Sequence, residues 1–183
     1  RIHRNAAVQS IRRDSDGVSV LLKNGASQHF DHVVLACHSD QALGLLADAD
    51  IEEKQVLGAL PYQDNEVVLH TDTRLLPRNK LTWSSWNYLQ TGQSERATLT
   101  YNMNILQGIS APETFCVTLN NSEAINPRRV LGRFNYAHPV FTLDGMTAQG
   151  RWQEINTAQT SFCGAYWRNG FHEDRSEEHT SEL

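Results

Sequence analysis

One short segment constrains the fold more than any other part of the chain. Residues 33–37 form an uninterrupted apolar run, Val-Val-Leu-Ala-Cys. A strand with one face in water would alternate apolar and polar residues, so this run predicts a strand buried on both faces. Strands of that kind usually belong to a parallel sheet that helices cover. We therefore expect an α/β layer around this strand.

Helical signals follow the run directly. His38, Ser39 and Asp40 offer an N-cap, and residues 41–46 carry apolar residues at helical spacing. Asp50 is placed to cap a second short helix over residues 51–60, which ends at a proline. Both helices are expected to pack beside the buried strand.

The first residues of the chain predict β structure with tight turns. Strands are expected over residues 6–11 and 18–22, with the polar segment 13–17 between them. Asn24 and Gly25 form a hairpin turn after the second strand, because both residue types tolerate a positive φ.

The hydrophobic pattern changes after residue 61. Five segments have the composition of strands separated by turn residues, which predicts a largely antiparallel sheet: 66–70, 81–86, 97–103, 114–119 and 130–136. Residues 144–157 predict a short helix or an irregular segment, and residues 160–166 a last strand. The expected organisation is a first domain over 1–60, an inserted sheet over 61–143 and a return to the first domain over 144–174.

Composition excludes several classes of protein. The net charge is -5 and no basic cluster exceeds two residues, which argues against nucleic-acid binding. No apolar run approaches 18 residues, so no membrane-spanning helix is expected. Cys37, Cys116 and Cys163 form no Cys-x-x-Cys pair, which weakens zinc and dithiol interpretations and indicates reduced thiols in the cytoplasm. No metal site is predicted.

Two segments are candidates for ligand contact. The strand that ends at Ala36, Cys37 and His38 would lie at the carboxyl edge of a parallel sheet, where nucleotides usually bind. Gly164 and Gly170 flank an aromatic stretch, and glycines let a ligand approach the main chain. From spacing alone, an ordinary core strand and a glycine turn before a surface helix explain the same residues.

Aromatic residues on the inserted sheet are a third candidate, either as the wall of an apolar pocket or as core packing. His138 has a pKa suited to a general base, yet no partner is visible in the sequence, so a structural role is the alternative. No hydrolase motif, zinc motif or glycine-rich phosphate loop is present, which favours chemistry carried by a cofactor. The aromatic set comprises Trp83, Trp86, Tyr88, Tyr136 and Phe141.

The combined motifs resemble the FAD-dependent amine-oxidase-like superfamily. They lie at residues 30–46, 60–72, 83–88, 136–141 and 162–174. Within that superfamily they are similar to a bacterial group of NAD/FAD-binding oxidoreductases associated with cyclopropane-fatty-acid synthases. The resemblance covers residues 1–174 and implies an incomplete Rossmann-like FAD-binding domain with an antiparallel substrate sheet inserted into it.

The resemblance also implies site residues. Val8 matches the position whose main chain meets the adenine. Ala36, Cys37 and His38 match the strand end near the ADP half of FAD. The late segment near the cofactor corresponds to Gly164, Ala165, Tyr166, Gly170, Phe171, His172, Glu173 and Asp174. Substrate-sheet positions correspond to Trp83, Trp86, Tyr136 and His138.

Two departures from the superfamily matter. Its Gly-x-Gly-x-x-Gly fingerprint is absent and is expected before residue 1, so the chain is interpreted as an internal fragment that binds FAD weakly. The lysine that many amine oxidases carry on the first substrate strand is absent from residues 65–68, which puts amine oxidation in doubt. Residues 175–183 match the translation of a sequencing adapter and are interpreted as a non-native tail, with a native disordered terminus as the alternative.

The resulting functional expectation is a flavoenzyme. The intact protein is expected to be an FAD-dependent oxidoreductase that takes a hydride equivalent from an organic substrate, of which lipid or fatty-acyl compounds are one class. The alternatives are a non-catalytic module that binds apolar ligands and a flavin-dependent desaturase or isomerase. The site requires the strand ends near Ala36 and Gly164 to lie side by side.

Overall fold

The computed structural model describes residues 1–90 and 98–170, which divide into two compact units. The first unit comprises residues 1–62 and 139–170, and the second comprises residues 63–138. These boundaries differ by a few residues from the limits at 60 and 143 expected from sequence. Each unit is described separately below.

The first unit begins with a three-stranded antiparallel meander, β1 (Val8–Asp14), β2 (Gly17–Leu22) and β3 (Ser27–Phe30). The predicted break at residues 13–17 is shorter in the structure, because β1 continues to Asp14 and pairs with Gly17 across a tight turn. A Cβ atom on Gly17 would lie 2.5 Å from the carbonyl oxygen of Phe30, and the φ of 142° also requires glycine.

A short parallel pair of strands connects the two chain segments that form the first unit. β4 (Val33–Leu35) pairs with β10 (Thr160–Phe162), with Val33 opposite Thr160 and Leu35 opposite Phe162. The prediction that β4 is buried on both faces was wrong, because Val34 is 50% exposed. The sheet has only these two strands within the described residues, and the Val34 side chain is half open to solvent.

Helices α1 (Ser39–Leu45) and α2 (Ile51–Gly58) follow β4, close to the limits that their capping residues predict. The Asp50 side chain accepts a hydrogen bond of 2.7 Å from the Glu53 amide, and the Glu53 carboxylate accepts one of 3.0 Å from the Asp50 amide. This reciprocal capping box satisfies two amides that the first helical turn leaves without partners.

Glu53 also belongs to a buried charge network around Arg13. The Arg13 guanidinium donates to Asp48 at 3.1 Å, to both Glu53 oxygens, one of them at 2.8 Å, and to the Thr160 hydroxyl at 3.5 Å. Hydrogen bonding to Glu53 raises the pKa of Arg13 further above its usual value. Burial opposes ionisation of Asp48, but its hydrogen bonds with Arg13 outweigh burial and lower its pKa. The network ties β1 to α2 and β10.

The helices α4 (Leu143–Gln149) and α5 (Trp152–Ile155) precede β10. The predicted strand over 160–166 is shorter in the structure, because residues 165–167 form a 3₁₀ turn. Trp167 stabilises that turn, its indole N–H donating to the Phe162 carbonyl at 3.1 Å. Apolar side chains from the meander, the helices and β10 then form one core, which includes Ile11, Val18, Leu57, Ile155 and Phe162.

The second unit is a five-stranded sheet in the order β6-β7-β8-β5-β9, and the helix α3 (Met103–Gln107) follows β7. Neighbouring strands from β6 to β5 are antiparallel. The strands are β5 (Tyr62–His70), β6 (Trp86–Leu89), β7 (Thr98–Asn102), β8 (Cys116–Leu119) and β9 (Val130–Pro139).

The predicted strand over 81–86 was wrong. Residues 80–82 form a 3₁₀ turn instead, and β6 begins at Trp86. Asn79 explains the turn, because its side chain accepts from the Leu81 amide at 3.0 Å while its carbonyl accepts from the Thr82 hydroxyl at 2.8 Å. Residue 97, the predicted start of the next strand, lies outside the described residues.

The two faces of this sheet differ in polarity. Directly paired residues point to the same face, so the register places Trp86, Tyr101, Val117 and Leu69 in one row. The next row on that face contains Tyr88, Leu99, Leu119 and Val67. We call these eight residues the apolar sheet face.

The opposite face is buried and polar. The His70 Nε2 donates to the Thr118 hydroxyl at 2.8 Å, which lies 2.8 Å from the Thr100 hydroxyl, while the His70 Nδ1 accepts from the Asp72 amide at 3.1 Å. Because Nδ1 is an acceptor, the ring is neutral, and burial lowers its pKa. Burial raises the pKa of the neighbouring Cys116 thiol to about 11.

No helix within residues 1–90 and 98–170 is both long enough and apolar enough to cross a bilayer.

Candidate functional site

The parallel pairing of β4 with β10 brings together the two strand ends on which the proposed site depends. Leu35 lies opposite Phe162, and the Cys163 amide donates to the Leu35 carbonyl at 2.9 Å. Ala36 and Gly164 therefore follow neighbouring strands at the same carboxyl edge. Ligands of open α/β sheets bind outside such an edge.

The residues after β4 have different degrees of access to solvent. Ala36 is exposed, whereas Cys37 is half-buried and packs against the core. Burial raises the pKa of the Cys37 thiol, which disfavours its nucleophilic thiolate form. His38 is the N-cap residue of α1 and stacks on Tyr62, with ring centroids 4.3 Å apart and planes 12° apart. A ligand at this edge would meet the small Ala36 and the backbone on either side of it.

The glycine after β10 has a packing explanation. A Cβ atom on Gly164 would overlap the ring of Tyr166, so the absence of a side chain there makes room for the tyrosine. Tyr166 is buried in the core, and its carbonyl accepts a hydrogen bond of 2.8 Å from the Gln149 side chain. Ala165, which lies between Gly164 and Tyr166 in the sequence, is half-buried. The bare main chain at Gly164 therefore faces Tyr166.

Gly170 has the open backbone that ligand contact requires. It is exposed, has a φ of 88°, and the nearest atom to a Cβ built on it is a Phe141 ring carbon at 3.6 Å. Phe171, His172, Glu173 and Asp174, the predicted helix start near the flavin, lie outside the described residues.

Val8 lies in a different sheet from these strand ends. It is the first residue of β1, pairs with Leu22 and packs against the core of the first unit. Its half-buried side chain serves the core, and its predicted adenine contact would use the main chain.

The aromatic candidates on the second unit do not form one cluster. Trp86 lies on β6 and Tyr136 on β9, which are the opposite edges of the five-stranded sheet. Trp86 packs edge-on against Tyr101 at 5.4 Å, and Tyr136 stacks on Phe134 at 5.8 Å. Three strands therefore separate Trp86 from Tyr136, and the predicted contact of each with substrate stays a prediction.

Trp83 and His138 have local roles. The Trp83 indole donates to the Pro77 carbonyl at 2.8 Å, which holds the side chain against the preceding loop. The His138 Nδ1 lies 3.0 Å from the Asn65 amide nitrogen. Asn65 is thus the partner of His138 that the sequence did not reveal.

The apolar sheet face also contains half-buried residues that were not predicted from the sequence. Leu99, Tyr101, Val117 and Leu119 are each half-buried and alternate with buried polar residues such as Thr100. Strict alternation in β7 and β8 was the available signal. An apolar strip across four strands can bind an apolar substrate or pack against another surface.

The described part of the chain fits one side of a dinucleotide site. It provides two adjacent strand ends, an exposed Ala36 and an open Gly170. It provides no group of three or more His, Cys, Asp or Glu side chains placed to hold a metal ion. The exposed main chain at Ala36 and Gly170 is the part that fits an organic cofactor.

Comparison with known proteins decides the family. Residues 1–119 match the flavin containing amine oxidoreductases. The chain belongs to this family. FAD, predicted from the resemblance, is the cofactor of the flavin containing amine oxidoreductases, so the predicted family and cofactor are confirmed. The association with cyclopropane-fatty-acid synthases stays a prediction. No curated protein sequence matches the chain.

Solved structures confirm the α/β fold of the FAD-binding type. The CLA-producing fatty acid isomerase from P. acnes has a TM-score of 0.63 at 12% identity, over 99% of this chain and 48% of that chain. Reduced UDP-galactopyranose mutase has a TM-score of 0.60 at 12% identity, over 92% and 43%. A double mutant of putrescine oxidase has a TM-score of 0.59 at 12% identity, over 93% and 45%. The chain thus spans about half the length of these amine-oxidase-like structures.

Proposed function

We propose that the whole protein is an FAD-dependent oxidoreductase to which this chain contributes one side of the cofactor site and the substrate sheet. One observation carries the proposal. Strands β4 and β10, which lie before and after the antiparallel sheet, pair in parallel so that their carboxyl ends meet. Membership of a flavin containing family supplies the cofactor for that edge.

The proposed contacts follow the order of the strands. Ala36, Cys37 and His38 would line the ADP half of FAD, and Val8 would meet the adenine through its main chain. The flavin end would lie near Gly170 and the residues that follow it, 171–174. Gly164, Ala165 and Tyr166 would hold the second strand end in position, since the Tyr166 ring packs in the core and lies against Gly164.

The chemistry would belong to the cofactor and the positioning to the chain. Bound FAD supplies acceptance of a hydride equivalent from an organic substrate and delivery of the electrons to an acceptor. The apolar sheet face is the surface proposed to hold the substrate and exclude water. Trp86, Tyr101, Val117 and Leu69 form an apolar row across four strands of this face. Because such a row would contact an apolar chain, the face favours lipid or fatty-acyl substrates.

A flavin-dependent isomerase or desaturase is the second candidate. Strand β5 (Tyr62–His70) has no lysine, the residue that many amine oxidases carry on this strand. The structural match that covers 99% of the chain is named as a fatty acid isomerase. Both points favour a reaction other than amine oxidation.

The cytoplasm is the proposed compartment. Cys37 and Cys116 form no disulfide within the described residues, whereas disulfides would form and persist in an oxidising compartment.

Flavin binding is tested by substitution at the exposed strand end. In the full-length protein, Ala36→Glu should weaken FAD binding at least tenfold, because a carboxylate would face an anionic dinucleotide. Ala26→Glu is the matched control, since Ala26 is also exposed in the first unit but lies in the β2–β3 turn. FAD content is measured from the flavin absorbance of purified protein, with circular dichroism to verify folding.

Either of two results would refute the proposal. One is a full-length protein without flavin. The other is an Ala36→Glu variant that retains as much FAD as Ala26→Glu. Substrate-dependent reduction of oxygen or of an added dye then separates an oxidoreductase from an isomerase, because net oxidation of a fatty-acyl substrate reduces an acceptor in each turnover and isomerisation does not.

A further inference from the structure

A cleft at the edge of the second unit has chemistry that the proposed flavin site does not use. Its volume is about 400 Å³, and its walls are residues 74–78, residues 87–89 of the edge strand β6, and the side chains of Asn121 and Ala124. Pockets for small organic ligands range from about 300 to 1,000 Å³, so a medium-length chain fits this one.

One part of the cleft is apolar. Leu75 and Leu76 line it from the loop after β5, and Tyr88 and Leu89 line it from β6. Leu76 is buried, whereas Tyr88 is 66% exposed and Leu89 is 45% exposed. A ligand that covered Tyr88 and Leu89 would remove substantial apolar surface from water.

The other part is positively charged. Arg74 is held by Asp72, with contacts of 2.9 Å from Nε to Oδ1 and 2.5 Å from Nη2 to Oδ2. That carboxylate is buried and also accepts from the Asn126 amide at 2.8 Å, so its charge is already satisfied. Arg78 is exposed, and its side chain forms no ion pair within the described residues. No described acidic side chain lines the cleft.

We propose that this cleft binds a carboxylate on an aliphatic chain. The Arg78 guanidinium pairs with the carboxylate, Arg74 offers the N–H groups that its ion pair with Asp72 leaves over, and the chain lies along Leu75, Tyr88 and Leu89. Guanidinium groups bind carboxylates through paired, charge-assisted hydrogen bonds. Asn121 provides a neutral donor at the same walls, whereas the Asn87 amide already donates to the Ser84 and Thr100 carbonyls. Tyr88 also lies on the apolar sheet face, but the inference does not depend on flavin binding, because every lining residue belongs to the second unit.

Calorimetric titration of the full chain with decanoate tests the proposal. Acetate has the carboxylate without the chain, and decyltrimethylammonium has the chain with the opposite charge. Decanoate should bind more tightly than either. Its affinity should fall as sodium chloride is raised, because the Arg78 contact is exposed to solvent.

Two variants locate the ligand. Arg78→Gln should weaken decanoate binding about fivefold, and Leu89→Ser should weaken it by a similar factor through lost apolar contact. Arg128→Gln is the control, because Arg128 is an exposed arginine of the same unit that does not line the cleft. The melting temperature of each variant verifies folding.

Three results would overturn the proposal. The first is no decanoate binding to the unchanged chain. The second is equal binding of decanoate and decyltrimethylammonium. The third is equal affinity of decanoate for Arg78→Gln and Arg128→Gln.

Discussion

Replacement of Arg13, the cation of the buried charge network in the first unit, should strongly destabilise that unit. Arg13→Leu keeps an apolar stem on the strand but leaves Glu53 without its cation. The Glu53 side chain is only 1% exposed, so its carboxylate cannot regain hydration without local unfolding. Asp48 loses its partner as well, at 26% exposure of its side chain.

The expected cost is about 3–5 kcal/mol, the range for removing one partner of a buried ion pair. Whole domains are stable by about 5–15 kcal/mol, so the loss is a large fraction of the total. Arg12→Leu is the control, because the neighbouring Arg12 is exposed in the same strand and should change stability by no more than about 0.5 kcal/mol.

A double variant separates charge from packing. Glu53→Gln removes the buried charge, and glutamine at the third helical position still serves a capping box with Asp50. Arg13→Leu combined with Glu53→Gln should therefore be more stable than Arg13→Leu alone. Urea denaturation at pH 7, followed by far-ultraviolet circular dichroism, measures the free energy of unfolding of the unchanged chain, Arg12→Leu, Arg13→Leu and the double variant. If Arg13→Leu and Arg12→Leu unfold at the same urea concentration, the charge network does not contribute to stability and the reasoning is wrong.

Three further predictions concern pKa values and packing. Burial lowers the pKa of His70, so its ring should stay neutral in the folded protein as pH falls below about 6.5, while the same histidine in the unfolded chain takes up a proton. The free energy of unfolding should therefore decrease with falling pH in this range. An NMR titration that shows an ordinary histidine pKa would contradict this. Cys116, with a pKa of about 11, should resist iodoacetamide at pH 8 until urea unfolds the protein, and mass spectrometry of the labelled peptide measures it. Gly164→Ala should cost about 1–3 kcal/mol because its methyl group would meet the Tyr166 ring, whereas Gly44→Ala meets no atom within 4 Å and should be neutral or stabilising in thermal melts.

Local signals in the sequence predicted local structure well. Asp50 was expected to cap a helix at residue 51, and it does so by accepting a hydrogen bond from the amide of Glu53, three residues further along the chain. The strand expected at 81–86 failed for a reason of the same range, because hydrogen bonds from Asn79 close a 3₁₀ turn that strand propensity does not reveal.

Long-range features could not be read from periodicity. The apolar run at 33–37 correctly indicates a strand, but the exposure of Val34 depends on which neighbours the sheet has. Trp86 and Tyr136 have similar sequence contexts, yet the strand order places them at opposite edges. The adjacency of the strand ends near Ala36 and Gly164 was expected from the family resemblance, since nothing in either segment names the other.

The hydroxyl groups in the middle of the second unit have a consequence for how its strands align. Thr100 and Thr118 face each other across β7 and β8 on the buried side, with Tyr101 and Val117 paired on the opposite side. A shift of one residue between these two strands would turn every side chain of one strand over. Tyr101 would then displace a hydroxyl from the interior and leave its former partner unsatisfied. Misaligned sheets are thereby penalised during folding, before any ligand binds.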